Sequence, residues 1–199
     1  SVPVTDFYAG VSDPVLSNDG KYIAFVADLF PECGTDNDCN KRLDGSSSTG
    51  PTQAYIADEL LFRHWTLYKG EKKSYLVLFD IVEKKYQAIT KGDVLSGTYM
   101  LGGGPKYAFS PDSRILGYVS TSENNIANST NTDIYLMPIG GSETVNITLA
   151  NNAWDGAPVY SPDGKVIWIG TNSKGLFCLD DGNGEIHKYP LAEGSLENS

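Results

Sequence analysis

Three charged side chains in one apolar segment are the strongest candidates for binding chemistry. The segment ADELLFRHW contains Asp58, Glu59 and Arg63. A carboxylate facing a cavity can hold the ammonium group of a peptide amino terminus, which makes Asp58 or Glu59 a candidate substrate-binding residue. Glu59 and Arg63, four positions apart, equally fit a mutual ion pair on a helix surface. Both interpretations stay open on the sequence alone.

The chain offers no set of residues for bond cleavage. It has no Gly-x-Ser-x-Gly segment, so a nucleophile elbow is absent. Neither His64 nor His187 has a serine in a suitable setting for a catalytic triad. We therefore predict no catalytic residue and no cofactor in this chain.

A polar stretch resembles a calcium loop at first sight. Asp36, Asp38 and Asn40 alternate as oxygen ligands do, but Lys41 and Ser47 stand where such a loop needs glycine and a carboxylate. A solvated acidic loop is the better interpretation, and we predict no metal site.

The three cysteines divide into a pair and a single residue. Cys33 and Cys39 share the polar segment 28–54, which is rich in Gly, Ser, Asp and Asn and is predicted to be an exposed loop. The segment lacks a histidine to complete a zinc site, and a local disulfide is favoured over free thiols. Cys178 lies in an apolar run and is predicted to be a small buried side chain.

Two sequons make Asn128 and Asn146 candidate glycosylation sites. Together with the cysteine pair they favour a secreted protein, or one of a vesicular or vacuolar lumen, over a cytosolic one.

Charge and hydropathy narrow the possible partners. The 199 residues carry a formal net charge of −10, which repels nucleic-acid phosphates. No apolar run is long enough to span a membrane, so neither nucleic acid nor membrane is expected as a partner.

The chain repeats one turn motif three times. DPVLSNDGKYIAFV, YAFSPDSRILGYVS and APVYSPDGKVIWIG place their serines at 17, 110 and 161. The second interval is one repeat of propeller size. The first, nearly twice as long, is one repeat with a long insertion or two repeats with one motif eroded.

The motif predicts a tight hairpin. Pro162 suits the first central position of a type I turn, Asp163 tolerates the second, and Gly164 supplies the positive φ that follows. Ser113 replaces glycine in the second copy, where positive φ costs serine on the order of 1 kcal/mol.

The apolar runs after each turn barely alternate with polar residues, as expected for strands covered on both faces. We predict an all-β fold of four-stranded antiparallel blades, as in a TolB-like or WD40-like β-propeller. The blades cover about 13–90, with an insertion at 28–73, then 105–148 and 155–190. Within the insertion, segment 55–75 is predicted to form a short helix or a strand ribbon.

These motifs resemble a known enzyme family. DELLFRHW followed by YLVLFDI, then FSPDSRILGYVS, STNTDIYLMPIGG and DGAPVYSPDGK, resembles the N-terminal propeller part of prolyl oligopeptidase family serine peptidases. Secreted dipeptidyl-peptidase V-like and acylaminoacyl-peptidase-like members are the most similar. The resemblance implies that the propeller gates the access of short peptides to an α/β-hydrolase domain that carries the triad. A TolB-like interaction scaffold without peptidase activity is the alternative.

Three blades cannot close a ring. Outer blades with bare apolar faces would be unusual in a soluble monomer. We expect the remainder of the propeller and a hydrolase domain as partners, with pairing of two chains as the alternative.

Overall fold

The chain folds into three four-stranded antiparallel sheets in a computed structural model. The structure describes residues 3–48, 63–64, 67–68, 70–90, 106–121, 129–141, 143–171, 175–180 and 186–189. The strands are β1 (Ser12–Leu16), β2 (Tyr22–Leu29), β3 (Arg63–His64), β4 (Leu67–Tyr68), β5 (Lys73–Asp80), β6 (Lys85–Ala88), β7 (Tyr107–Phe109), β8 (Ile115–Ser120), β9 (Asp133–Pro138), β10 (Val145–Asn146), β11 (Asp155–Tyr160), β12 (Val166–Thr171), β13 (Gly175–Asp180) and β14 (Ile186–Tyr189), with one described helix, α1 (Asn37–Ser48).

Each sheet is an antiparallel meander, and in the first sheet β3 and β4 are inserted between the second and third strands. The first sheet has the order β1-β2-β5-β6, the second β10-β9-β8-β7 and the third β11-β12-β13-β14. The insertion predicted in the first repeat lies between β2 and β5, which pair without a break from Tyr22↔Asp80 to Leu29↔Lys73. The chain divides into two compact units, Ser1–Leu101 with the first sheet and Gly102–Ser199 with the other two.

The central strands of the first sheet are covered on both faces, as their continuous apolar sequence predicts. Four consecutive residues of β2 are buried, and so are five of β5. Because neighbouring strand residues point to opposite faces, such runs require packing on each side. The all-β prediction of four-stranded antiparallel blades is confirmed.

The three repeat turns share one hydrogen-bond pattern. Each serine Oγ donates to Oδ1 of the aspartate two positions later, and accepts the backbone N–H five positions later. For Ser17, Ser110 and Ser161 the Oγ–Oδ1 distances are 2.7, 2.6 and 2.6 Å, and the N–Oγ distances are 2.9, 2.9 and 3.1 Å. The motif serine therefore clamps the turn onto the first residue of the next strand.

The aspartate of each turn is held in its charged form. The hydrogen bond from the serine, followed by one from a backbone N–H, lowers the pKa of Asp19, Asp112 and Asp163 below the usual carboxyl value. The position after each aspartate has the predicted positive φ, 73° at Gly20, 62° at Ser113 and 74° at Gly164.

Two of the edge strands carry the same bulge. The pairs Asp13–Pro14 in β1 and Ala157–Pro158 in β11 each lie opposite a single residue of the neighbouring strand. Both residues before proline have a φ of 51°, a left-handed conformation that is costly for any residue except glycine. The bulge therefore recurs four residues before the motif serine in the first and third copies.

The predicted exposed loop at 28–54 is wrong for residues 37–48, which form α1. Oδ1 of Asp36 accepts the N–H of Cys39 at 2.8 Å and caps the first turn. Lys72, beyond the helix in sequence, binds Asp44 at 2.7 Å. The helix was not predicted from its polar composition, because contacts with residues outside the helix stabilise it.

The predicted disulfide Cys33–Cys39 is present, with the two Cα atoms 5.5 Å apart. Asn40, one of the apparent calcium ligands, is buried beside it. Its Oδ1 accepts the N–H of Phe30, and its Nδ2 donates to the carbonyls of Gly34 and Asp36. Asn40 therefore serves the local fold.

Part of segment 55–75 is a strand ribbon, one of the two predicted forms. β3 pairs antiparallel with β4 through Arg63↔Tyr68 and His64↔Leu67.

Candidate interaction surface

One face of the third sheet carries a group of exposed apolar side chains. Val159, Leu176 and Tyr189 on this face are 47%, 41% and 50% exposed. Register places Val159 beside Trp168, and Leu176 beside Tyr189, while the rings of Trp168 and Tyr189 lie 5.5 Å apart. These side chains form an exposed apolar group on this face, and such groups are candidate interaction sites.

The opposite face of the third sheet packs on the second sheet. Ile167 and Ile169 on this face are both buried. A Cβ atom added to Gly117 of β8 would lie 3.4 Å from Cδ1 of Ile167 and 3.3 Å from Cδ2 of Leu136. Glycine at 117 thus allows the two sheets to approach closely, and sheet-on-sheet stacking is directly visible within this unit.

Buried polar groups fix the second and third sheets to each other. The backbone N–H of Asp155 donates to the carbonyl of Thr132 at 2.9 Å, and Oγ1 of Thr132 donates back to the carbonyl of Asp155 at 2.8 Å. Nδ2 of Asn151 donates to Oδ1 of Asp155 at 2.6 Å. These hydrogen bonds at buried positions join the second and third sheets.

The sequon at Asn146 is part of another internal network. Nδ2 of Asn146 donates to Oδ2 of the buried Asp133 at 3.0 Å, and Oδ1 of Asn146 accepts the N–H of Thr148. Oγ1 of Thr148 accepts the N–H of Ile134. The two polar residues of the sequon therefore have structural contacts within the second sheet, and glycosylation of Asn146 stays a prediction.

One face of the first sheet is closed by the N-terminal segment 3–10. Phe7 on this segment is 7% exposed and belongs to the same core cluster as Phe25, Val77 and Phe79. Its ring centroid lies 5.4 Å from that of Phe25 and 4.6 Å from that of Tyr86. The ring of Phe7 thus packs on the centre of this face.

Hydrogen bonds hold the segment in place. Oη of Tyr86 donates to Oδ1 of Asp6 at 3.0 Å. Asn37, at the start of α1, donates through Nδ2 to the carbonyl of Asp6 and accepts the N–H of Tyr8 at 2.9 Å. Burial, with the bond to Asp6, raises the pKa of Tyr86 above the usual phenol value.

The structure does not describe the side chains of the residues predicted to bind substrate. Asp58 and Glu59 lie outside the described residues, and of Arg63 the structure describes the backbone, in β3. Asn128 also lies outside the described residues. Cys178 is buried in β13 with a free thiol, as predicted.

The described part of the chain contains no group of three histidine, cysteine, aspartate or glutamate side chains able to hold a metal ion. Nor does any helix within it have the length and apolar character needed to cross a bilayer.

Bare apolar faces on the outer blades were expected from the sequence, but neither the residues of the open face nor the contacts of Phe7 were identified. The sequence of β13 contained a signal for the open face. Its segment GLFCL is apolar at every position, which is typical of a strand covered on both faces, so an uncovered face there indicates a missing neighbour. The segment around Phe7 carries no periodic pattern that would reveal its role.

Comparison with known proteins identifies relatives. Dipeptidyl-peptidase 5 of Porphyromonas endodontalis is 28% identical over 172 residues, which cover 81% of this chain and 23% of that protein. The chain is similar in sequence to dipeptidyl-peptidase 5. The dipeptidyl-peptidase 5 of Porphyromonas gingivalis is 26% identical over 212 residues, covering 94% of this chain and 28% of that protein. The predicted resemblance to this peptidase family is confirmed at this level of identity, although no family model matches the chain.

The dipeptidyl-peptidase 5 relationship agrees with the fold. The propeller domain of the trilobed protease from Pyrococcus furiosus has a TM-score of 0.53 at 12% identity, covering 94% of this chain and 44% of that one. Acylaminoacyl peptidase from Pyrococcus horikoshii gives 0.51 at 12%, covering 90% and 25%. TolB from Acinetobacter baumannii gives 0.50 at 17%, covering 90% and 32%. These similarities show that the sheets are of the β-propeller type.

Proposed function

We propose that this chain is a non-catalytic propeller segment of a secreted serine exopeptidase of the dipeptidyl-peptidase or acylaminoacyl-peptidase type. It gates the access of short peptides to an α/β-hydrolase domain that lies outside this chain. The observation that carries the proposal is the similarity to two dipeptidyl-peptidase 5 proteins along 81% and 94% of the chain. This chain spans only 23% and 28% of those proteins, which leaves room for a separate catalytic domain.

Such a segment would gate the access of peptides by its shape, through exclusion by size. Sheets stacked as closely as the second and third form a rigid wall, since Gly117 leaves little space between them. A rigid wall around an entrance excludes folded proteins and long chains, while short peptides pass. Selection by size then requires no catalytic residue on the wall itself.

Asp58, Glu59 and Arg63 are the residues we propose for substrate orientation. The free amino terminus of a peptide would bind the carboxylates, and Arg63 would bind a peptide carbonyl or hold the carboxylates in place. In the longer polypeptide that carries the hydrolase domain, replacing Asp58 or Glu59 by its amide should raise KM for peptides with a free amino terminus. The expected increase is about tenfold or more, which corresponds to the loss of one charge-assisted hydrogen bond. Acetylated peptides should be unaffected, and the exposed Glu71 offers a matched control, Glu71→Gln.

The decisive experiment compares this chain with the longer polypeptide encoded by its gene. We expect a dipeptidyl chromogenic substrate to be cleaved by the long polypeptide and not by this chain. Turnover by the isolated chain that depends on one of its own serines would disprove the proposal. So would a gene that encodes no Gly-x-Ser-x-Gly segment after these residues.

A TolB-like scaffold is the second candidate, favoured by the similarity to TolB over 90% of the chain. In that case the gene would encode further propeller repeats and no hydrolase domain. A pull-down with the long polypeptide would then recover a protein partner, and peptide hydrolysis would be absent.

Secretion and glycosylation belong to the same proposal. The disulfide Cys33–Cys39 suits an oxidising compartment. Mass spectrometry of the native protein, before and after removal of N-linked glycans, tests whether Asn128 or Asn146 is modified.

A further inference from the structure

Residues 33–39 form a loop that a disulfide closes between its two ends, here called the disulfide loop. Asn37 in this loop, which is also the first residue of α1, binds the N-terminal segment 3–10. Its Nδ2 donates to the carbonyl of Asp6 at 3.2 Å, and its Oδ1 accepts the N–H of Tyr8 at 2.9 Å. The position of segment 3–10 on the first sheet therefore depends on the conformation of the disulfide loop.

Hydrogen bonds within a few residues support the same loop conformation. Oδ1 of Asp36 accepts the N–H of Cys39 at 2.8 Å, and Nδ2 of Asn40 donates to the carbonyl of Gly34 at 2.9 Å. When a loop opens, such bonds are exchanged for bonds to water at a small net cost. A covalent cross-link instead removes open conformations altogether, so the disulfide is the strongest restraint on the loop.

The surroundings of the two sulfur atoms favour reduction at one of them. Cys33 and Cys39 are both half-buried, which leaves the disulfide open to a small dithiol. Nη2 of Arg42 lies 3.6 Å from Sγ of Cys39, and Cys39 lies in the first turn of α1. A guanidinium and a helix N-terminus both stabilise a thiolate. Cys39 is therefore the better leaving group when the disulfide is attacked.

We propose that Cys33–Cys39 is a redox-sensitive latch that holds segment 3–10 on the first sheet. The thiolate of a dithiol attacks Sγ of Cys33, which forms a mixed disulfide and releases Cys39 as a thiolate beside Arg42. The second thiol of the reductant attacks the reductant's own sulfur in the mixed disulfide, releases Cys33 and closes a cyclic disulfide. Two electrons pass from the dithiol to the cysteines, and its two protons pass to the cysteine thiolates or to water.

Opening of the latch uncovers apolar side chains of the first sheet. Phe7 of segment 3–10 packs with its ring centroid 5.4 Å from that of Phe25 and 4.6 Å from that of Tyr86. These ring contacts do not involve the disulfide loop, so the segment of the reduced chain still binds the sheet but detaches more often. An oxidising compartment keeps the segment in place, and a reducing one increases its detachment.

Hydrogen exchange with and without dithiothreitol tests the latch. The Tyr8 amide reports detachment of the segment, and the amide of Val77, which is buried in β5, reports unfolding of the sheet. Reduction should accelerate exchange at Tyr8 about tenfold or more, since the loop is no longer closed. Low concentrations of urea should change this rate little, because detachment exposes far less surface than unfolding. At Val77 the rate should rise steeply with urea.

Two outcomes would overturn the proposal. The first is an unchanged rate at Tyr8 after titration has confirmed that both thiols of the pair are free. The second is a rate at Tyr8 that depends on urea as steeply as the rate at Val77. In that case the disulfide would stabilise the whole sheet and would not hold the segment.

Asn37→Ala tests whether the loop acts through this residue. With the disulfide closed, the variant should bind as much of a dye for exposed apolar surface as the reduced wild type does, and reduction should add little. Asp44→Asn is the control, because it removes the contact of α1 with Lys72 and leaves the disulfide loop intact, so its dye binding should equal that of the wild type. A large further increase on reduction of Asn37→Ala would contradict the proposal.

The rate of reduction tests the route of opening. Arg42→Gln should slow reduction by dithiothreitol about threefold or more, because the thiolate of Cys39 loses its neighbouring cation. Lys41→Gln removes the same charge from the adjacent exposed residue and should slow reduction less. Equal rates in the two variants would show that Arg42 does not assist the leaving thiolate.

The latch does not depend on the proposed function. A gene without a hydrolase domain would disprove the peptidase proposal and leave the exchange and dye measurements as they are. Failure of the latch would leave the comparison of hydrolytic activity unaffected.

Discussion

Removal of the motif serine from one repeat turn tests the turn clamp most directly. Ser110 is 5% exposed, and its Oγ bonds to both Asp112 and the N–H of Ile115. In Ser110→Ala the N–H of Ile115 loses its acceptor, at a cost of about 1–2 kcal/mol for a partly buried donor. For a unit of this size, each kcal/mol lowers Tm by about 4–8 °C.

The measurement is urea unfolding followed by circular dichroism, with Ser110→Thr as the control that keeps the hydroxyl. We expect Ser110→Ala to lower the free energy of unfolding and Ser110→Thr to recover most of it. Equal stability of the alanine variant and the wild type would refute the idea that the serine clamps the turn.

The same turn makes a pH prediction. The native pKa of Asp112 is below its unfolded value, so its charge contributes stability at neutral pH, and this is lost as pH falls through the native pKa. The difference in free energy of unfolding between wild type and Asp112→Asn should therefore be largest at neutral pH. It should decrease in acid, at pH values below the usual carboxyl pKa. A difference that stays constant across this range would show that the charge of Asp112 is not involved.

Two further substitutions have defined outcomes. Replacing both Cys33 and Cys39 by serine should lower stability by about 2 kcal/mol, the value for a short closed loop, and reduction of the wild type should match it in urea unfolding. Gly156→Ala should cost about 1–3 kcal/mol, because the new methyl group would overlap the ring of Trp154. Gly170→Ala is its control, since a Cβ there makes only ordinary contacts, and equal melting temperatures for the two variants would contradict the packing argument.

The strands and turns could be predicted because their causes are local. The aspartate after each motif serine, followed by glycine in the first and third copies, determines the turn, and the apolar runs after it determine the strands. The bulge was not predicted, although a proline stands three residues before Ser17 and Ser161 and not before Ser110. A positive φ in the residue before proline, however, is contrary to local preference and could not be inferred from it.

Helix α1 and the packing of segment 3–10 on the first sheet could not be predicted because their causes are distant in sequence. Asp44 is bound by Lys72, and Asn37 is bound to residues near the amino terminus. Phe7 meets Tyr86 almost eighty residues later. The composition of these segments is typical of loops, and tertiary contacts override that preference.

The long insertion in the first sheet has a kinetic consequence. Residues 30–72 separate β2 from β5, whereas residues 121–132 separate the equivalent β8 and β9. Closing the longer connection costs about 1 kcal/mol more in chain entropy. The hairpin of the second sheet should thus form earlier during folding, and the first sheet should be the slower one to nucleate.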